Sequence, residues 1–436
     1  MLLGGVILLT FATWYGVLAG SFQYDDFPNV ILDPATFDPA QLWDRAATGF
    51  RPLLRATYFM DYELWGMYAP GFLATNLMLH LTAVLTVFAL ARRRLGSEFP
   101  AAIAALFFAA QPAHAAVVAY VSGRSAGLSA TLLLLALLLY DRSSGWRIGA
   151  LTLWVAAILT KETALVFPAL LMLWEWTRPA PLAGARKRLL PFLVAAPGLA
   201  LAVLMVPRMQ ELLAFSQSLR SPLQNLAWNA VALPEALSLW VRPWALSVEH
   251  APFTWSVLRA VAGGAALLGL ITVAVIFRRR APYLAFAILF PIVALLPTYS
   301  IIARLDPVAE NPLYLAWFGI ALLAGVAAAN FARSPAVLGT LAAALFAGAI
   351  WSAKRVEVWQ NPVTLWTEAV AGSPASARAW NNLGMARFNA GDRDGADAAF
   401  IRALELDPHH FQAWDARLTI RLLKETGSVS RGLEPQ

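Results

Sequence analysis

The chain has 436 residues, of which 59% are hydrophobic and only 14% are charged, with a formal charge of +7 and a mean hydropathy of +0.61. Soluble domains carry about 25% charged residues, so this composition excludes an ordinary soluble enzyme and predicts an all-α, multi-pass membrane protein. The basic residues fall between apolar runs rather than in one patch, so we expect no nucleic-acid partner. The sequence has no cysteine, which excludes disulfides, thiolate metal sites and a cysteine nucleophile.

Stretches that could cross a bilayer need about 20 apolar residues, and about eleven candidates follow one another along the chain. The first of them lacks the basic start of a signal peptide, so we expect a retained helix. The candidate spans are 2–20, 71–91, 100–116, 126–140, 147–160, 163–176, 189–206, 257–277, 281–298, 312–331 and 335–351.

Basic residues cluster on alternate loops between these spans, at 92–94, 142–147, 186–188 and 278–280. Cytoplasmic loops of membrane proteins carry an excess of lysine and arginine, so these loops are predicted to be cytoplasmic. The opposite side then receives the first loop and everything after residue 351. We expect a bacterial inner-membrane protein whose active site and C-terminal region face the periplasm.

The composition changes sharply in this C-terminal region. The stretch "AWNNLGMARFNAGDRDGADAAFIRALELDP" has the residue pattern of a tetratricopeptide repeat, and Trp380 lies 34 residues before Trp414, which is the period of that repeat. We therefore divide the chain into a transmembrane domain, 1–351, and an outer tetratricopeptide-repeat domain, 352–436.

Within the repeats, the large aromatic residues are expected to pack between helices, because the repeat places such residues at its helix contacts. Asn381 and Asn382 are predicted to line a concave groove, where their amides could bind the backbone of a protein partner. The residues predicted to be core are Trp366, Trp380, Phe400 and Trp414.

Two adjacent carboxylates, Asp25 and Asp26 in "SFQYDDFPNV", follow the first apolar stretch. They could simply cap a helix end, but the predicted topology brings further ionisable residues to the same face, which favours a functional site. His80, in the middle of a span, is interpreted as a packed or hydrogen-bonded side chain. The other ionisable residues on the face of the Asp pair are Arg51, His114, Arg124, Lys161 and Glu162, and Glu310 and Tyr314 open a later span.

Several phrases occur in a fixed order: "YDDFPNV", "FRPLLRATYFMDYELWG", "QPAHAAVVAYVSGRSAGLSA", "LTKETAL" and "AENPLYLAWFG", followed by the repeats. This order resembles the TMTC proteins, which are transmembrane and tetratricopeptide-repeat glycosyltransferases of the GT-C class. The resemblance covers nearly the whole chain. It implies an inverting transfer of a sugar from a polyprenyl-phosphate carrier to an acceptor hydroxyl, on proteins in the animal members.

Two motifs depart from the family pattern. The usual H-P-x-H-x-E is here "QPAHAA", which keeps His114 but loses the first histidine and the glutamate, and the usual E-R-x-L-Y-L-P is "ENPLYLA", which loses the arginine. The repeat array is also shorter. These differences leave open which sugar and which class of acceptor the protein uses. They bear less on the type of reaction.

Sugar transfer to a hydroxyl needs a base near the acceptor oxygen and positive charge on the leaving phosphate. The resemblance places the catalytic centre at Asp25 and Asp26, and we favour Asp25 as the base with Asp26 orienting it or the sugar. Arg51, Arg124 and Lys161 are the candidates for the donor phosphate. The supporting residues are His114, Glu162, Glu310 and Tyr314. A divalent metal is left open and no metal ligands are assigned.

Three other functions fit parts of the sequence. The acceptor could be a lipid or a polysaccharide rather than a protein. A non-enzymatic membrane scaffold would use the repeats to dock other proteins but would not need the polar cluster on the outer face. A translocator of lipid-linked sugars would need ionisable groups at several depths, whereas most here map to one face.

Overall fold

The computed structural model describes residues 1–48, 50–142, 145–178, 184–251 and 253–431. These residues form helices and contain no β-strand, which confirms the all-α prediction. Contacts divide the chain into two compact units. The first is Met1–Pro243 with Thr254–Val356, and the second is Trp244–Phe253 with Glu357–Gln436.

The first unit is a bundle of apolar helices joined by short helical turns. Its α-helices are α1 Leu2–Trp14, α2 Pro39–Thr48, α3 Pro52–Trp65, α4 Ala69–Leu95, α5 Glu98–Ala109, α6 Ala115–Val118, α7 Arg124–Tyr140, α8 Trp146–Thr160, α9 Phe167–Trp176, α10 Ala185–Leu204, α11 Pro207–Leu219, α12 Pro222–Ser238, α13 Val257–Phe277, α14 Pro282–Leu295, α15 Leu313–Ala316, α16 Phe318–Asn330 and α17 Pro335–Gln360. The last of these continues into the second unit.

Six helical segments in the described residues are long and apolar enough to cross a membrane, and a bent pair makes a seventh. Three further apolar helices, α7, α8 and α14, are shorter than a full span. Together these helices make the chain a multi-pass integral membrane protein. The predicted number of about eleven spans is not confirmed, because several apolar stretches form helices that are too short to cross a bilayer in a straight line.

Helix α4 shows how the sequence sets the limits of a span. A proline stands in its first turn, where a missing backbone N–H costs nothing. Three arginines occupy the last turn, where positive charge is favoured by the helix dipole, and Gly96 ends the helix at a φ of +72°. The inner face of the helix carries Asn76 and His80, both buried, into the bundle.

The bent pair is α5 followed by the segment Pro112–Val118, which meet at an angle of 56°. Pro112 ends the helix as its sequence predicts, and the last carbonyls of α5 are left without helical donors. Side chains from three other helices donate to them: Trp14 Nε1 to the Ala109 oxygen at 2.8 Å, Trp317 Nε1 to Phe107 at 2.7 Å and Ser352 Oγ to Ala110 at 3.1 Å. These bonds fix α1, α16 and α17 against the break.

The second unit contains four helices, α18 Pro362–Gly372, α19 Ala377–Asn389, α20 Arg393–Leu406 and α21 Phe411–Arg431. Phe400 is fully buried beside Gly384, where a Cβ atom would lie 2.5 Å from the Phe400 ring, so glycine is required there. Trp366 is buried and Trp380 is half-buried against the same core. Trp414, however, is 58% exposed, so its predicted place in the core is wrong.

Asn381 also differs from its prediction. The side chain is only 2% exposed and donates to the Asn382 side-chain oxygen at 3.3 Å, so it does not line an open groove. Only the half-buried Asn382 keeps some exposed surface. The start of helix α19 is instead held by its own cap, Ser376, whose hydroxyl accepts from the Ala379 N–H.

A segment from the middle of the chain, Trp244–Phe253, belongs to the second unit. Its buried Glu249 accepts from Ser376 Oγ at 2.7 Å and from two nitrogens of Arg378 at 3.0 and 2.6 Å, while its backbone oxygen accepts from Ser373 Oγ. The compact unit therefore begins near residue 357 rather than 352 and includes a segment that sequence reasoning assigned to an outer loop.

We expect Glu249→Gln to loosen this segment, because the substitution removes a buried charge from a bidentate pair with Arg378. A charged hydrogen bond of this kind contributes about 2 kcal/mol, and limited proteolysis should then cut within 244–253 faster than in the unchanged chain. Glu405→Gln is the matched control, since Glu405 forms an exposed pair with Arg402 and such pairs contribute little. Equal cleavage rates in the two variants would contradict this role of Glu249.

Candidate active site

Asp26 is fully buried and holds the loop after helix α1 in place. Its Oδ1 accepts from both the backbone N–H and the hydroxyl of Ser122 at 2.7 Å, and its Oδ2 accepts from the Gln23 N–H at 2.9 Å. Burial raises the pKa of Asp26 to about 7, although the bonds from Ser122 and Gln23 oppose this shift. A carboxylate with these three internal donors is suited to fixing the loop rather than to contacting a substrate.

Asp25 lies on the other side of this loop and is half-buried. Its backbone N–H donates to the Tyr120 hydroxyl at 3.1 Å. Among the described residues, only Tyr24 and Arg51 are non-glycine residues with a positive φ, of 44° and 59°. Such backbone conformations cost free energy and cluster at functional sites; here Arg51 is a predicted site residue and Tyr24 directly precedes Asp25.

The partner of Asp26 is supplied by a tight turn in the phrase "YVSGR", residues 120–124. A Cβ atom on Gly123 would lie 2.4 Å from the Ala116 carbonyl oxygen, so only glycine allows this close approach. The turn leaves the N–H of Ser122 free to reach Asp26. Tyr120 and Ser122 thus bind the two aspartates from one turn, a role that no sequence motif had indicated.

Positive charge gathers around a single carboxylate, that of Glu162. Arg51 binds it through two hydrogen bonds, Nε to Oε2 at 3.0 Å and Nη2 to Oε1 at 2.8 Å. Burial lowers the pKa of Lys161 to about 7, the charges of Arg51 and Arg304 lower it further, and Glu162 opposes them. Arg51, Lys161 and Arg304, which we call the cation group, therefore lie near one another, and Glu162 pairs with Arg51 and also acts on Lys161.

Tyr58 on α3 joins the cation group to the Asp pair. Its pKa is raised by burial, and the charges of Arg124, Asp26 and Arg51 all act on it, so these charges lie near Tyr58. The structure therefore places Arg51, Lys161 and Glu162 in one cluster, with Asp26 linked to it through Tyr58. Arg304 was missed; its only sequence signal is a lone arginine in the loop between two late spans.

Arg124 has a different place from the one predicted. Its guanidinium is fully buried, with Nη2 at 2.5 Å from Asp61 Oδ2 and 2.7 Å from the Phe72 oxygen, and with Nε donating to Asn76 at 2.8 Å. This geometry is at odds with phosphate binding by Arg124, because no surface of the side chain is exposed. Asp61 and Asn76, which hold it, were not singled out from the sequence.

His114 and Tyr314 meet inside the helix bundle rather than at the loop of the Asp pair. Their ring centroids lie 4.4 Å apart, and Tyr314 shares a hydrogen bond of 2.8 Å with His80 Nδ1, which confirms the prediction that His80 is hydrogen-bonded. Both predicted supporting residues are almost fully buried, and Glu310 is 5% exposed. They can act on a substrate only through other residues.

A metal site is not formed by the side chains in the described ranges, where no three His, Asp or Glu residues are grouped as ligands. The loop offers one half-buried carboxylate, Asp25, and Arg51 and Lys161 supply positive charge around Glu162. Such a pair of charges could accept a proton at one point and hold an anion at another.

Comparisons with known proteins agree with the sequence motifs. A family model for the tetratricopeptide repeat matches residues 377–410, which confirms the predicted repeat. Two Drosophila melanogaster proteins, protein O-mannosyl-transferases Tmtc1 and Tmtc2, are each 32% identical over 37% and 36% of this chain. A protein O-mannosyl-transferase of Caenorhabditis elegans is 22% identical over 93% of the chain.

The chain spans about a fifth of the length of the two fly relatives, 21% and 20%, and 63% of the nematode protein. A crystal structure of ArnT from Cupriavidus metallidurans bound to undecaprenyl phosphate aligns with 96% of this chain and 76% of that one, with a TM-score of 0.45 and 16% identity. The sequence matches and the repeat agree with the resemblance read from the motifs: the chain is an integral membrane protein with a tetratricopeptide repeat, and its sequence is similar to those of the TMTC O-mannosyl-transferases.

Proposed function

We propose that this protein is a glycosyltransferase that moves a sugar from a polyprenyl-phosphate carrier to an acceptor hydroxyl, on a protein, at the outer surface of the membrane. The observation that carries the proposal is the positive charge around Glu162, where Arg51 pairs with that carboxylate at 2.8 Å and the charges of Arg51 and Arg304 both act on Lys161. Positive charge in excess of its partners suits the phosphate of a lipid carrier. The names of the relatives make mannose the first sugar to test.

Asp25 is the general base in this mechanism. It takes the proton of the acceptor hydroxyl while the hydroxyl oxygen attacks the anomeric carbon, and the bond between that carbon and the phosphate oxygen breaks. The displacement inverts the configuration at the anomeric carbon. The departing phosphate gains negative charge, which the cation group stabilises more in the transition state than in the bound donor.

The buried groups prepare the site without taking part in the displacement. Asp26 fixes the loop through Ser122 and Gln23, and Arg124 fixes the turn that carries Ser122. We place the loop and the repeats on the periplasmic side of a bacterial inner membrane, where the repeats bind the acceptor protein and raise its concentration near Asp25. The donor tail stays in the bilayer.

Asp25→Asn should lower sugar transfer by about a hundredfold, the scale of a lost general base, while the loop keeps its structure. Asp26→Asn should instead loosen the loop, because the amide NH₂ cannot accept from all three donors that the carboxylate binds. Transfer to a short hydroxyl acceptor and hydrogen exchange of residues 21–31 measure the two effects separately.

Asp44→Asn, an exposed position in the same outer loop, is the control and should change neither quantity. Full activity of well-folded Asp25→Asn would remove Asp25 from the mechanism. Unchanged hydrogen exchange in Asp26→Asn would show that Asp26 does not hold the loop.

Lys161 predicts a dependence of donor use on pH. The amine is positively charged below its pKa of about 7 and neutral above it, so kcat/KM for the donor should fall as the pH rises through 7. Lys161→Arg keeps the charge at every accessible pH and should flatten this part of the profile. If kcat/KM fell equally with pH in the unchanged enzyme and in Lys161→Arg, a group other than Lys161 would cause the pH dependence.

The topology can be tested with single cysteines, because the sequence has none of its own. Cysteines at the exposed positions Ala40 and Asp415 should react with a membrane-impermeant thiol reagent added to spheroplasts, whereas a cysteine at exposed Arg279 should react only after the membrane is broken. The reverse pattern would place the Asp pair and the repeats in the cytoplasm. If the cysteines at Ala40 and Asp415 reacted from opposite sides of the membrane, the repeats could not bind an acceptor for Asp25.

A further inference from the structure

A second concentration of positive charge lies away from the Asp pair, at the ends of several membrane helices. Four segments, which we call the basic end, contain twelve arginines and lysines but only three acidic residues: 92–98, 141–147, 175–188 and 278–280. Contacts between their side chains show that they lie together. Arg178 pairs with Asp141, Arg188 with Glu175 at 2.7 Å, and the Arg94 guanidinium lies 4.0 Å from the Trp174 ring.

The three carboxylates of the basic end are already neutralised. Glu98 pairs with Arg92 at 3.3 Å, Asp141 with Arg178, and Glu175 with both Arg178 and Arg188. In the described residues, the other nine cations of the basic end have no carboxylate within ion-pair distance. A surface with this much unmatched charge needs anions from outside the protein.

Two of these arginines stack on exposed tryptophans. Arg142 lies 5.0 Å from the ring of Trp146, and Arg278 lies 4.6 Å from the ring of Trp176. The tryptophans are 48% and 37% exposed and stand at the ends of apolar helices. Tryptophan prefers the level of the lipid headgroups, where one part of the ring meets hydrocarbon and the other meets water.

From this combination we infer that the basic end binds the headgroups of anionic phospholipids, an interaction beyond the proposed transfer and independent of it. The tryptophans set the depth at which the arginines lie, and that depth is the level of lipid phosphates. A nucleic acid or a soluble acidic protein does not reach between tryptophans at this depth. Each arginine removed should lower the affinity for anionic lipid about fivefold, equivalent to about 1 kcal/mol.

The test uses the full chain purified in a neutral detergent and mixed with phosphatidylglycerol or phosphatidylcholine, with the bound lipid counted by native mass spectrometry. The unchanged protein should retain phosphatidylglycerol in preference to phosphatidylcholine. Arg142→Gln combined with Arg278→Gln should weaken retention of phosphatidylglycerol by roughly 25-fold. Replacing the same two arginines with lysine should keep most of the binding, because the charge remains.

Arg259→Gln is the matched control, since Arg259 lies near the opposite end of helix α13, about 28 Å from Arg278 at 1.5 Å per residue. It should bind phosphatidylglycerol as the unchanged protein does. Equal retention of the two lipids, or equal retention by the glutamine double variant and the control, would overturn the inference. Displacement of the lipid by millimolar inorganic phosphate would also overturn it, because the site would then select a free anion.

Discussion

The buried guanidinium of Arg124 connects the three pieces of chain from which the candidate site is made. It pairs with Asp61 on α3, donates to Asn76 and to the Phe72 oxygen on α4, and begins helix α7 directly after the turn that carries Ser122. Removing one partner of a buried ion pair costs about 3–5 kcal/mol, because the other charge is left alone in the interior. The position of the loop that carries Asp25 therefore depends on a fully buried side chain in the helix bundle.

The cations of the cation group have fewer polar partners than Arg124 has. Arg124 has a carboxylate, an amide and a carbonyl as partners, whereas Arg51 and Lys161 have the one carboxylate of Glu162 between them and the charge of Arg304 also acts on Lys161. An incompletely matched cation is unfavourable in the folded protein, and the lowered pKa of Lys161 expresses that cost. In the proposed function, a phosphate bound at the cation group would offset this cost.

The sequence could predict features that depend on composition and on local pattern. Apolar runs predicted helices, the 34-residue period predicted the repeat, and loop charge placed the Asp pair on the same face as Arg51 and Lys161. The sequence could not predict that Arg124 is fully buried while Arg51 stays partly exposed, since both are arginines beside a helix start. What separates them is Asp61 and Asn76, which lie 63 and 48 positions before Arg124 in the chain and are brought to it only by tertiary packing.

Burial was also hard to predict wherever it depends on a neighbour. Asp25 and Asp26 are adjacent in the sequence, yet only the Asp26 side chain accepts from Ser122 and becomes fully buried, whereas Asp25 bonds to the same turn through its backbone N–H. Trp414 has the repeat spacing of a core residue, but in the described chain no further helix packs on its face of α21 and it stays exposed. The burial and pairing of Glu249 could not be predicted from its place in a long loop, because its partners Ser376 and Arg378 lie 127 and 129 positions away.

Transfer of a sugar by this chain is tested most directly by the intact masses of proteins and glycans from the outer face of cells. Three cultures are compared: one with the unchanged gene, one without it, and one with the gene carrying Asp25→Asn. Sugar transfer predicts at least one acceptor that is heavier by whole sugar residues in the first culture only. Identical mass distributions in the three cultures, with the protein present in the membrane, would contradict glycosyltransferase activity.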